Sequence, residues 1–320
     1  MTVVAITGAS GFLGRALVDA AQAQEATPVA IVRREPSSPL GVQTRTADLR
    51  DATAVAGLLH GVSVLIHAAA AKGGEFHEQY ASTVRATEVL LAEAERAGVR
   101  RVVLVSSFSV YDYAAIPYGS TVNEESPTHL GGVGPHAYAQ AKSLQEQVTR
   151  EWAVRADREL VVVRPGAIYG RNNVWTGRIG QAFGSVWVGI GSRAEVPATF
   201  VENCASAIAF LAAHPSAAGQ TYNILDSERP TQADYRKLAA SAQSRQPRVV
   251  PVPWSLVRSS AEILNRLNSR RAAPFRVPGF ANAAVLDSMN RPLAYSDAKL
   301  AATGWRQRVS LREAFDRLSQ

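Results

Sequence analysis

Tyr138 and Lys142 stand four residues apart in a stretch of helical character that begins near His136, a spacing that puts both side chains on one helix face. A phenol, with an ordinary pKa of about 10, is a poor base at neutral pH, and a nearby ammonium favours the phenolate. The pair is suited to pass a proton to or from a substrate oxygen while hydride moves to or from a nicotinamide, with Lys142 also holding the nicotinamide ribose. Ser107, closing a β-branched run over 101–107, offers a hydroxyl to the same oxygen and its developing charge. The same spacing also arises as a surface helix pair worth a few tenths of a kcal/mol. Composition weighs against that: Lys72, Lys142, Lys237 and Lys299 are the only lysines in a chain with 34 basic residues, and arginine would not reproduce the point charge.

A second constellation lies at the N-terminus. Thr7-Gly8-Ala9-Ser10-Gly11-Phe12-Leu13-Gly14 follows a predicted strand and opens a predicted helix. Glycines there allow a tight turn and close approach of backbone to a pyrophosphate, while free N–H groups at the helix start face the anion. Gly8, Ser10, Gly11, Phe12, Leu13 and Gly14 are therefore candidate cofactor residues. The next strand, Val29-Ala30-Ile31-Val32, ends at Arg33-Arg34, where an NAD site places an acid on the ribose hydroxyl. An arginine pair suits a 2′-phosphate and favours NADP; Glu35 leaves NAD open. Asp48 and Leu49 are placed for the adenine edge, and Ala68 and Ala69, after His67, are small enough to let a cofactor approach. His67 reads as a satisfied, partly buried histidine rather than a catalytic one.

These residues need elements to hold them. Strands are predicted near 2–7, 28–33, 42–47, 62–67, 101–107 and 159–164, separated by helices near 11–24, 51–60, 75–98 and 136–157. In the third helix Phe76, Tyr80 and Val84 recur at four-residue spacing and Gly98 marks the end. Alternation of this kind builds βαβ units, so the fold class is α/β: a doubly wound parallel sheet, a Rossmann fold, with a smaller C-terminal substrate lobe. The dinucleotide-binding domain is assigned to 1–170 and the lobe to 171–320, interleaved with the sheet. Beyond residue 170 come strand-like pieces at 197–201 and 220–224 and helical stretches near 203–213, 231–243, 254–268 and 310–319.

The bulk properties exclude other classes. With 320 residues, 47% hydrophobic and 19% charged, the chain can bury a sizeable core. Cys204 is the only cysteine, so an internal disulfide is impossible and no metal site is proposed. No signal peptide and no apolar run of roughly 20 residues is present, so a membrane span is not expected and a cytoplasmic location is. A net charge of +7 arises from scattered arginines with few aromatics, which argues against nucleic acid. The expected partner is a small-molecule substrate, and a homodimer is compatible with the sequence.

The chain resembles the extended short-chain dehydrogenases/reductases, which include NAD(P)-dependent epimerases, dehydratases and hydroxysteroid-dehydrogenase-like enzymes. The resemblance rests on the glycine loop, Val105-Ser106-Ser107-Phe108-Ser109-Val110-Tyr111, Tyr138-Ala139-Gln140-Ala141-Lys142 with Glu146, and Arg164-Pro165-Gly166-Ala167-Ile168-Tyr169-Gly170. Phe200-Val201-Glu202-Asn203 and Gly304-Trp305 extend it over nearly the whole chain. It implies that Ser107 rather than Ser106 is catalytic, and that Pro165 and Ile168 meet the nicotinamide. Thr83 stands where the family often has asparagine, and Asp112 replaces the glycine usual after Tyr111.

The resemblance is nearer the hydroxysteroid-dehydrogenase and dihydroflavonol-reductase branch than the sugar-nucleotide epimerases, which commonly carry an asparagine in the segment around Ala167. It implies hydride transfer between NADP(H) and a secondary alcohol or ketone of a hydrophobic molecule, and Trp254, Leu256, Val257, Ile263, Leu264 and Leu267 are candidates for an apolar cleft, as they are for ordinary packing. Two alternatives stand beside it. One is a nucleotide-sugar epimerase, dehydratase or reductase with a diphosphate clamp from Arg171, Arg178, Arg193 or Arg236. The other is a protein that senses NADP without catalysis, a role that needs no phenol paired with an ammonium.

Overall fold

Val3–Thr7 is apolar at every position but the last, the pattern of a strand covered on both faces, and it forms β1 in the interior of a parallel sheet. The computed structural model describes residues 1–320 except 36–39, 72, 130–133, 184–185, 243–246, 270–282 and 320. Around β1 lie β2 (Thr27–Val32), β3 (Gln43–Thr46), β4 (Val64–His67) and β5 (Arg101–Val105), and the strands Glu159–Pro165 and Thr221–Ile224 complete a seven-stranded sheet. From one edge the order is Thr221–Ile224, Glu159–Pro165, β5, β4, β1, β2, β3, with every neighbouring pair parallel. The sheet is the doubly wound arrangement expected from the alternating pattern.

Alternation along the strands sends neighbours to opposite faces. Ile6, Ile66, Val103, Val105, Val161 and Val163 pack with Leu17 and Val18 of the first helix (Phe12–Gln22) and Ile208 and Leu211 of the helix Val201–Ala213. Ala5, Leu65, Val102, Leu104 and Val162 pack on the other face with Leu90 and Leu91 of the helix Ala86–Arg96 and Trp152 of the helix Ala137–Arg155. The C-terminal half thus supplies both a strand and a covering helix to the sheet.

Two helices differ from the sequence expectation. The region 51–60 is helical only over Ala52–Val55, because Ala56 turns extended (ψ 122°) and Gly57 follows at φ 81°. The helix expected over 75–98 is interrupted by a π-helical turn, Tyr80–Arg85, between Phe76–Gln79 and Ala86–Arg96. That insertion widens the helix where it faces the site, and it carries Thr83.

The order in which strands are added reverses at β1: β2 and β3 lie on one side, β4 and β5 on the other, all parallel. Ligands in such sheets sit beyond the carboxyl ends of the strands at this switch point. The loops after β1, β4 and β5 all open there. Smaller pieces cover the same end, including a two-stranded pair of Ala167–Tyr169 with Ala198–Phe200 and a three-stranded sheet of Gln181–Phe183, Val186–Ile190 and Arg248–Val252.

Candidate active site

The glycine loop is shaped by close approach. Gly8 has φ 69°, a left-handed conformation open to glycine, and a side chain there would meet the backbone of Ala69 at 3.1 Å. At Gly14 a Cβ would lie 2.0 Å from the carbonyl oxygen of Gly8, so the first helix can pack against β1 only with glycine in place. Gly11 caps that helix without a side-chain hydrogen bond, leaving its first N–H groups directed at the loop beside Ser10, Phe12 and Leu13. This is a backbone cradle of the kind a pyrophosphate fills.

Beyond Gly8 a cavity of about 350 Å³ is lined by Arg33, Asp48, Leu49, Arg50 and Ala69, among others. Five of the sequence candidates, Gly8, Arg33, Asp48, Leu49 and Ala69, therefore meet in one place. Arg34 is exposed and does not line it, and Ala68 lies behind Gly8. Glu35, the residue that left NAD open, accepts a hydrogen bond from Thr46 Oγ1 at 2.9 Å. Arg50 went unnoticed in the sequence: it grips both oxygens of Asp48, and its side-chain hydrogen bonds hold that carboxyl down to about 2. Asp48 is thus ionised and oriented throughout the physiological range. Loop, cavity and small alanines together fit a dinucleotide.

Ser107 and Tyr138 line a second cavity, of about 210 Å³, with Phe108, His136, Gly166, Ala167 and Arg178 among its walls. Ser107 follows β5, where its Oγ accepts from the Ser109 N–H at 3.1 Å. Tyr138 is the second residue of the helix Ala137–Arg155, capped by His136, whose Nδ1 accepts from the Ala139 N–H at 3.1 Å. The histidine and tyrosine rings stack with centroids 6.3 Å apart. Burial raises the Tyr138 pKa above the ordinary phenol value, and hydrogen bonding with Ser107 pulls the other way. The net direction is opposite to the lowering expected from Lys142, because removal from water dominates. Tyr138 holds its proton through neutral pH.

Lys142 is 2% exposed and one turn further along. Its Nζ donates to the Val105 carbonyl at 2.8 Å and to Gln145 Oε1 at 2.9 Å. Because an ammonium only donates, Gln145 Nε2 must face inward, where it donates to Thr87 Oγ1 at 2.8 Å. Thr87 spends its own proton on the Thr83 carbonyl, so His67 Nε2 carries the hydrogen in its 2.8 Å contact with Thr87. His67 Nδ1 then accepts from Thr7 Oγ1 at 2.7 Å, and Thr7 in turn accepts from the N–H groups of Ala68 and Ala69. Burial, and after it the Lys142 charge, push His67 down to about 3, so it is neutral. It is the satisfied histidine the sequence suggested, more deeply buried than expected at 1% exposure. The network links the lysine to the loops after β1 and β4, and its members Thr7, Thr87 and Gln145 escaped the sequence reading because their spacings carry no signal.

A second buried network anchors the same helix. Arg164, on the strand Glu159–Pro165, grips Glu146 with Nε to Oε1 at 2.9 Å and Nη2 to Oε2 at 2.8 Å, and Ser106 also donates to Oε1. Burial alone would raise the Glu146 carboxyl, but the Arg164 hydrogen bonds outweigh it and leave it below the usual range. Arg164 also lies over the Tyr111 ring, 4.9 Å from its centroid. Ser106 is thus tied to Glu146, while Ser107 faces the cavity.

Pro165 is buried and Ile168 half-buried; it is Gly166 and Ala167, between them, that line the second cavity. None of the six candidates of the helix Trp254–Ser269 lines it. Leu256, Ile263 and Leu267 are more than half exposed, while Trp254 and Val257 pack on Ile190, Ala261 and Leu286. The cleft expected there is replaced among the described residues by Ser288 and Met289 from the helix Ala283–Asn290. Of the four arginines proposed as a clamp, Arg178 reaches this cavity; Arg236 is turned to the carbonyls of Ile179, Ile190 and Gly191, and Arg171 and Arg193 are exposed.

Residues 4–224 match the NAD dependent epimerase/dehydratase family. Sterol demethylase protein B of Methylococcus capsulatus is 35% identical over 175 residues, 52% of this chain and 51% of that protein, so the chain spans about half the length of this relative. A 4-hydroxy-2-methyl-3-oxo-4-farnesyl-3,4-dihydroquinoline-1-oxide ketoreductase of Stigmatella aurantiaca is 27% identical over 332 aligned positions, covering 98% of this chain and 95% of its own. The crystal structure of Thermus thermophilus UDP-glucose 4-epimerase with NAD superposes with a TM-score of 0.70 at 19% identity, covering 99% of this chain and 97% of that one, a likeness of fold.

Proposed function

Given that the chain belongs to the NAD dependent epimerase/dehydratase family, as an NAD(P)-dependent enzyme of the extended short-chain dehydrogenase/reductase type, we propose that it transfers hydride between NADP(H) and a secondary alcohol or ketone of a small, largely apolar molecule. The observation that carries this reading is the pairing of Ser107 with Tyr138 in one cavity, with the buried Lys142 ammonium one helical turn behind. When bound, the nicotinamide gives or takes the hydride.

In the direction of reduction, Tyr138 gives its proton to the carbonyl oxygen as that oxygen gains charge, and Ser107 donates a hydrogen bond to the same atom. Burial keeps the phenol protonated and so poised as the acid. In the reverse direction Tyr138 must first lose that proton, which the Lys142 charge assists. The loop Gly8–Gly14 would hold the pyrophosphate, Asp48 and Leu49 the adenine, and Arg33 the 2′-phosphate. Support for NADP over NAD comes from Arg33 on the cavity wall and from Glu35 being engaged by Thr46. The apolar substrate class is favoured by the ketoreductase from Stigmatella, whose name gives it a farnesyl-bearing substrate.

The test is calorimetric titration with NADPH and NADH, followed by a turnover screen over apolar ketones and nucleotide sugars. NADPH consumption with a ketone, lost by roughly 10²-fold or more in Tyr138→Phe with NADPH binding retained, supports the reading. Redox-neutral conversion of a nucleotide sugar moves the protein to the epimerase and dehydratase reactions, and failure to bind either nucleotide defeats it.

A further inference from the structure

Arg178 lies in the short turn Gly177–Ile179 and lines the cavity that holds Ser107 and Tyr138. Its guanidinium donates to the phenol oxygens of Tyr295 at 3.1 Å and Tyr113 at 2.9 Å, and lies over both rings, 5.6 and 5.5 Å from their centroids. These contacts orient the cation without neutralising it. Tyr113 keeps its proton, since burial raises its pKa, and donates it to the Phe108 carbonyl at 3.1 Å. Among the described residues no aspartate or glutamate lines the cavity and no carboxylate is within ion-pair distance of Arg178.

Arg178 is half-buried, and a charge partly withdrawn from water without a counter-ion carries a cost that arginine does not relieve by losing its proton. Arg164, the other arginine beside the site, has its carboxylate in Glu146. Arg178 has two phenols and an open cavity. Its fork of five N–H donors matches a carboxylate or phosphate, and the described contacts from its guanidinium use two of them.

We infer that the cavity takes a substrate bearing an anionic group, carboxylate or phosphate, which pairs with Arg178 while Ser107 and Tyr138 address the reacting oxygen at the other end. The inference rests on the hydride-transfer reading and narrows its substrate class to amphiphilic acids: an apolar body against Phe108 and Met289 with a charged end at Arg178.

The experiment titrates the NADPH-bound protein with para-acetylbenzoate and with its methyl ester, which share a ketone and a ring and differ in charge. Phenyl phosphate is the third probe, and the tighter of the two anions identifies the group. The acid is expected to bind at least about tenfold more tightly than the ester, the preference weakening as salt rises. Arg178→Met should abolish the preference and Arg178→Lys should keep part of it, both with NADPH affinity unchanged, because Arg178 lies outside the cofactor cavity. Equal binding of acid and ester by the wild type, binding of neither anion, or a preference that survives Arg178→Met overturns the inference. The wild-type comparison and its salt dependence decide it even if the methionine variant does not fold. A protein that fails to bind NADPH defeats the hydride-transfer reading instead, and the acid-versus-ester comparison on the protein alone still decides the anion site.

Discussion

Lys142 and Gln145 meet within one helix, Nζ to Oε1 at 2.9 Å, and this contact sets the orientation of the Gln145 amide and of the hydrogen bonds behind it as far as Thr7. Among its described contacts the lysine is held by a main-chain carbonyl and by this amide.

Replacing Gln145 by leucine should leave Lys142 with the Val105 carbonyl and deprive Thr87 of a donor. A loss of about 1–3 kcal/mol in stability is expected, measured by urea unfolding. Because the ammonium is less firmly placed, kcat should fall more than KM rises, and the pH–rate profile for alcohol oxidation should move to higher pH. An unchanged profile would mean that Gln145 only packs.

Arg33→Ala should weaken NADPH binding by about tenfold or more and leave NADH nearly unaffected, since only the former offers a 2′-phosphate to the guanidinium. Calorimetry on both nucleotides checks this. Arg34→Ala, altering a side chain off the cavity wall, is expected to have the smaller effect.

Glu146→Leu should strand the buried Arg164 charge and remove the partner of Ser106. Breaking one side of a buried pair costs about 3–5 kcal/mol, visible as a lower denaturation midpoint. The same change in Glu313, whose bridge to Arg317 is exposed, should cost far less.

His67 makes stability depend on pH with a definite sign. Its folded pKa, about 3, lies below its ordinary value, so the unfolded chain binds the extra proton and stability falls as pH drops below the unfolded value. The contribution amounts to on the order of 2 kcal/mol between pH 7 and pH 5. Asp226, raised to about 6 by burial, acts oppositely, gaining stability as pH falls through that value towards the unfolded one. The comparison that isolates His67 is unfolding of the wild type against His67→Asn at both pH values: the variant should lose less stability on acidification. Parallel pH dependence in the two proteins would show that His67 does not titrate on unfolding.

Sequence alone determined the parallel sheet and the glycine loop, and it named Ser107, Tyr138 and Lys142, of which the first two share one cavity. Each rests on a local rule: short continuous apolar runs for strands covered on both faces, glycines where a Cβ would collide, and a four-residue step on a helix. Those rules act over a few residues and are legible wherever the chain obeys them. They misjudged the helix at 51–60 and the unbroken helix at 75–98, because Gly57 and the π turn answer to the packing around them. They offered the helix Trp254–Ser269 as a candidate cleft wall beside ordinary packing, and its apolar side chains face solvent or a small satellite core.

Only the tertiary structure brought Gln145, Thr87, His67 and Thr7 into one chain of hydrogen bonds, whose links span 58, 20 and 60 positions of sequence, and set Arg178 between Tyr113 and Tyr295, 65 and 117 positions away. It decided as well that Arg33 rather than Arg34 lines the cavity beyond Gly8. The physical reason is that desolvation decides these matters. Whether a glutamine positions a lysine, or an arginine awaits an anion, depends on which groups share its buried volume, and that is a property of the folded chain.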